Sequence, residues 1–164
     1  MSRTEKIIII ILVLAVIAAA IGIMTDSRRN QIIIEDFTEP SFESGALVGM
    51  PENVDESLRH SKMAVAEGFV VWMCADPVVT GGQARIFFTS EETNNVWVKV
   101  QFVDAEGTLI GESGLLRPGE YVENISLAQV PEEDGLITAR ILSYEQDTYY
   151  SKGTATAQVM LHLE

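Results

Sequence analysis

The run VWVKVQFV, residues 96–103, alternates its side chains with a period of two. Val98, Val100 and Phe102 fall on one face and Trp97, Lys99 and Gln101 on the other, the pattern of a half-buried β-strand. Asp104-Ala105-Glu106-Gly107 is a compact hairpin signal, and TLIGES (108–113) supplies the return strand. Upstream, MAVA (63–66), FVVWMCA (69–75) and ARIFFTS (84–90) are short β-type runs, separated by Asp76-Pro77 and Thr80-Gly81-Gly82. Downstream come YVENISLA (121–128), LITARILSYE (136–145) and TATAQVMLHL (154–163), punctuated by PEEDG (131–135) and by a loop from Asp147 to Gly153.

Between TLIGES and YVENISLA lies GLLRPGEYV, residues 114–122. Arg117, Glu120 and Tyr121 stand close enough there to suggest a chemical site. Pro118-Gly119 instead fits the central positions of a type II turn, where proline fixes φ and glycine accepts φ > 0. Arg117 and Glu120 then flank the turn, and an exposed pair of that kind contributes only about 0–1 kcal/mol.

Short strands with regular turn signals and no helical periodicity predict an all-β domain. The expected architecture is a seven- to eight-stranded antiparallel sandwich, immunoglobulin/fibronectin III-like, over residues 63–164. The Cys–Trp–Cys pattern of antibody domains is missing, since Cys74 is the sole cysteine. Cys74 can form no intrachain disulfide, and inside its apolar run it reads as a small buried hydrophobe.

The first part of the chain has a different character. Residues 7–24, IIIIILVLAVIAAAIGIM, form an uninterrupted apolar block. As a helix it spans about 27 Å, close to the hydrocarbon thickness of a bilayer. A cleavable signal peptide is the competing reading, but the block exceeds the usual length of a signal core. The expected organisation is a cytoplasmic tail (1–6), a transmembrane signal anchor (7–24), an acidic juxtamembrane stalk (25–62) and an extracytoplasmic β-domain (63–164). Six residues before the span leave no room for a domain on that side, which favours N-inside topology. In the stalk, Asn53 and Glu56 resemble a capping box and predict a brief helix over 54–61.

The segment after Asn30 holds 22 acidic and 7 basic residues, a net charge near −15. Phosphates would be repelled, so nucleic acid is excluded as a partner. No metal-ligand spacing, phosphate-binding glycine loop or nucleophile motif occurs, so no catalytic, cofactor-binding or metal residue is assigned and no cofactor is expected. Acidic residues concentrate in turns, and the abundance of carboxylates does not by itself make a hydrolase site. Tyr144, Tyr149 and Tyr150 cluster around one loop. Trp97, Tyr149 and Tyr150 are the candidate interaction surface, because aromatic residues are enriched where proteins meet.

Four features, Val96–Lys99, Gly111–Gly114, Pro118–Val122 and the tyrosine-rich Tyr144–Gly153, resemble those of a family of small uncharacterised membrane-anchored β-domain proteins from clostridia-like bacteria. The resemblance covers roughly residues 63–163 and implies a membrane helix, an acidic lead-in and a β-domain. It supplies no catalytic residue. Together these readings predict a non-enzymatic protein of the bacterial cell envelope. Residues 7–24 would engage the lipid bilayer and the β-domain an envelope protein. The alternatives are a cell-wall carbohydrate-binding or sensing module, which an open Trp72 or Trp97 platform would favour, and a carboxylate-based hydrolase.

Overall fold

The alternation in VWVKVQFV folds as its period requires. The strand bearing it, Val96–Val103, buries Val98, Val100 and Phe102 completely while Trp97 and Gln101 stay partly exposed. The computed structural model describes residues 38–65 and 68–164, and this portion is all-β. Its strands are β1 (Leu47–Val48), β2 (His60–Ala64), β3 (Val70–Cys74), β4 (Val78–Thr80), β5 (Gln83–Ser90), β6 (Val96–Val103), β7 (Leu109–Glu112), β8 (Glu120–Ser126), β9 (Gly135–Glu145) and β10 (Ser151–Leu163). The tail expected at 1–6 and the membrane helix expected at 7–24 lie outside the described residues. Among the described residues no helix is long and apolar enough to cross a membrane.

The strands form one curled, mixed sheet in the order β1-β8-β5-β4-β10-β9-β6-β7, with β3 also paired to β5 and β2 to β3. Core-facing residues of β3 (Val71, Met73), β5 (Ala84, Ile86, Phe88) and β8 (Val122, Ile125) share one cluster with those of β6, β9 (Ile137, Ala139, Ile141) and β10 (Val159, Leu161). Each such large side chain removed from water contributes about 1.5–3 kcal/mol.

Four expectations are corrected. The pairing is not wholly antiparallel, because β4 runs parallel to the end of β10. Pro77 has no N–H to continue a ladder, so β3 stops and the chain resumes offset as β4. The amides of Met160, His162 and Glu164 donate to the carbonyls of Ala75, Pro77 and Val79 at 2.8–3.0 Å, the even spacing of a parallel ladder. The strand count is ten because β1 and β4, of two and three residues, are too short to leave a periodic signature.

The compact unit also begins earlier than Met63. It runs Glu39–Glu164, so residues 39–62 belong to it and are not stalk. Glu43 N donates to Leu115 O and Leu115 N to Ser41 O, each at 2.9 Å. The Glu43 carboxylate accepts from Gly114 N at 2.7 Å and Gly45 N at 3.1 Å. The helix expected over 54–61 shrinks to a single 3-10 turn, Glu56–Leu58, capped by Asp55. Arg59 turns left-handed at φ 49° and ends it, handing the chain to β2.

Turn chemistry is legible throughout. Gly119 has φ +78°, and Glu120 N donates to Arg117 O at 3.1 Å, as a Pro-Gly type II turn requires. Asn94 is buried and stands in for a strand partner: its amide accepts from Val70 N at 2.8 Å and donates to Val70 O at 2.7 Å.

Candidate interaction surface

The outward alternation of β6 places Trp97 on the sheet's outer side. Its indole lies 5.0 Å from the ring of Tyr149 and 4.8 Å, edge-on, from that of Phe42. Aromatic pairs at such distances contribute about 0.5–1.5 kcal/mol beyond their area. The Arg117 guanidinium caps the other end, 3.8 Å from the Phe42 centroid. Arg117 Nη1 also reaches Glu120 Oε1 at 3.3 Å, and its backbone N–H donates to Glu120 Oε2 at 2.7 Å. Sequence positions 42, 97, 117 and 149 thus form one continuous row.

Of the three residues singled out by sequence, Trp97 and Tyr149 meet in this row. Tyr150 stands apart, 72% exposed, at the tip of the β9–β10 hairpin. The loop between the strands is tied by Tyr149 N donating to Glu145 O and Glu145 N to Tyr150 O. Asp147 and Tyr149 both take positive φ, 70° and 58°, a conformation that costs a non-glycine residue about 1–3 kcal/mol.

Beyond Arg117 the row opens on a cavity of about 340 Å³, lined among others by Val48, Met50, Glu92, Pro118 and Glu120. Val48 and Met50 are 89% and 46% exposed. Sequence reasoning missed Phe42, Val48 and Met50 because they lie in the stretch read as stalk. The only available signal was the short apolar run Leu47-Val48-Gly49-Met50 among turn-formers.

A second ring cluster lies on the outer side of β2, β3 and β5. Trp72 Nε1 donates to Glu91 Oε2 at 2.6 Å, Lys62 Nζ sits 5.5 Å from the Trp72 centroid, and His60 stacks on the indole at 5.8 Å. His60 Nε2 is 3.1 Å from Phe87 O. A carbonyl can only accept, so Nε2 carries the proton. Phe87 occupies a β-bulge in β5 at φ 48°. The Trp72 indole, helped by Lys62, holds the Glu91 carboxyl below its usual range. Burial pushes His60 down, partly opposed by the Phe87 carbonyl.

At the other end His162 Nδ1 meets Asp134 Oδ2 at 2.9 Å. That bond and the Leu163 N–H lower the Asp134 pKa. Cys74 is buried and its thiol is pushed up to about 12, far from the thiolate a nucleophile needs. Among the described residues no three His, Cys, Asp or Glu side chains gather as a metal site. No protein-family model matches the chain, and no curated protein matches it.

Proposed function

We propose that this is a non-enzymatic, single-pass membrane-anchored protein of the bacterial cell envelope whose β-domain binds another protein. The aromatic row from Tyr149 through Trp97 and Phe42 to Arg117 carries the reading: rigid rings and an arginine are the side chains that dominate protein interfaces. The apolar block at residues 7–24 supports anchorage, and the acidic surface argues against phosphate-rich partners. The four features that resemble the clostridia-like family favour a bacterial envelope setting.

The strand order supports an immunoglobulin/fibronectin III-like sandwich. β3-β5-β8 corresponds to the A-B-E order of that fold and β6-β9-β10 to its C-F-G order. β1 takes the place beside E that D usually fills.

The carbohydrate-binding alternative needs an indole with an open face. Trp72 carries His60 and Lys62, and Trp97 carries Phe42 and Tyr149. The hydrolase alternative needs two working carboxylates in one cleft. In the 340 Å³ cavity Glu120 is already engaged by Arg117, which leaves Glu92.

A photoreactive phenylalanine analogue at Tyr150, incorporated in cells and irradiated, tests the proposal. One or a few discrete protein adducts are expected, and they should weaken in a Trp97→Ala background. A ladder of non-specific adducts, or none, counts against a protein partner. Protease shaving of intact cells should remove the β-domain; protection would overturn the topology.

A further inference from the structure

β1 sits at one end of the sheet order and pairs with β8 alone. Its register sets Leu47 against Tyr121 and Val48 against Glu120, and Gly49 N donates to Gly119 O at 2.8 Å. In an antiparallel ladder hydrogen-bonded and non-hydrogen-bonded pairs alternate. The pairs at 49 and 47 are therefore the bonded ones. Val48, between them, directs its own N–H and C=O away from β8, to a side where no described strand lies.

The side chain of Val48 is equally uncovered. Val48 lies across from Glu120, on the face of β8 that two residues on buries Val122 in the core. That face continues onto β1, but no described residue packs over it there, and Val48 is 89% exposed. The cavity beside it joins apolar walls from Val48, Met50 and Pro118 to the exposed carboxylate of Glu92, which has no ion-pair partner among the described residues.

Charge selects the occupant. The unit Glu39–Glu164 carries 20 acidic and 7 basic residues, a net charge of −13. Five of those bases, Arg59, Lys62, Lys99, Arg117 and Lys152, are already spent on carboxylates. An acidic partner would be repelled on approach, while a basic one would be steered in. A lysine or arginine has the required shape, an apolar stem for Val48 and Met50 and a cationic head for Glu92.

We propose that the free edge of β1 and its cavity receive an extended, basic segment of a partner protein. The segment adds as a strand, exchanges two hydrogen bonds with Val48 and lays a lysine or arginine side chain across Met50 to Glu92. This rests on the protein-binding reading above and names its mode. Two edge hydrogen bonds alone hold little, so the cavity side chain supplies the specificity, as in other strand-addition sites.

The test is an amide NMR titration of the isotopically labelled full chain in detergent. The probes are an end-capped alternating lysine–valine hexapeptide, its glutamate–valine counterpart, and a lysine–valine version N-methylated on alternate residues. The lysine–valine peptide should shift Val48, Gly49, Met50 and Glu92 saturably, and the glutamate–valine peptide should not. N-methylation, Val48→Pro and Glu92→Gln should each weaken binding about three- to tenfold. Val48→Pro removes the outward donor together with the valine wall of the cavity, and unchanged Val98 and Val100 signals would report an intact fold. Unsaturable shifts scattered over acidic residues would overturn the proposal. So would peptide-free shifts of Val48 that grow with protein concentration, the mark of a second copy on this edge. A Val48 amide already protected from exchange in the dilute chain would mean that the chain covers the edge itself. Discrete Tyr150 adducts with no peptide effect would leave the protein-binding reading standing and remove strand addition.

Discussion

At the residue scale, Gly119 separates turn chemistry from site chemistry. A Cβ there would meet only ordinary contacts, 3.8 Å from the Glu92 side chain, so the cost of replacement comes from φ +78°. Gly119→Val should destabilise the domain by about 1–2 kcal/mol, read as a lower melting temperature; unchanged melting would contradict the type II turn. His60 gives a second residue-level outcome. Burial makes its imidazole harder to protonate in the folded chain. The stability this group contributes is thus complete above its unfolded pKa of about 6.5 and is lost as pH falls through the lower folded value. Denaturant titrations from about pH 7 to pH 5 should show stability declining in wild type. His60→Gln should flatten that decline, and an unaltered slope would remove His60 from the account.

At the scale of elements, the close approach of Ser41–Glu43 to Gly114–Leu115 is what draws the lead-in onto the domain. A Cβ on Gly114 would lie 2.5 Å from Glu43 N and 2.6 Å from its Cα, both backbone atoms that cannot swing aside. Gly114→Ala should therefore push this segment off, costing about 1–3 kcal/mol. The Glu43 and Leu115 amides, bonded across the gap, should exchange faster with solvent, while core amides such as that of Val100 keep their relative protection. If Glu43 and Leu115 exchange as before, the lead-in is not held by this contact. The same displacement would pull Phe42 from Trp97 and break the aromatic row, so the mutation also links the packing of the lead-in to the interaction surface.

At the scale of the whole molecule, the net charge of −13 on Glu39–Glu164 is a standing repulsion among like charges. Raising ionic strength to about 0.15 M shortens the reach of these charges to about 8 Å. Because the ion pairs are surface pairs of small individual worth, relief of repulsion should outweigh their loss. The melting temperature is expected to rise with added sodium chloride. A fall would mean that the five Lys and Arg pairs contribute more than the surplus acids cost.

The all-β character is legible in local sequence, and the strands marked there at 69–75, 84–90, 96–103, 108–113, 121–128, 136–145 and 154–163 are observed within a few residues. Period-two alternation and Pro/Gly turn chemistry are local, so VWVKVQFV and RPGE carry their own structure. The sequence also singled out Trp97, Tyr149 and Tyr150, because aromatic residues beside a loop stand out in composition. What it could not contain are contacts between segments far apart in the chain. The parallel pairing of β4 with β10 joins residues 78–79 to 162–163. Phe42 completes the aromatic row only because Glu43 finds Gly114, 71 residues away. The uncovered face of Val48 exists only because β8, whose Glu120 lies 72 residues on, fixes which way its backbone points. A strand's period is written into neighbouring residues, but its partner and its exposed edge are settled by which distant surfaces bury together.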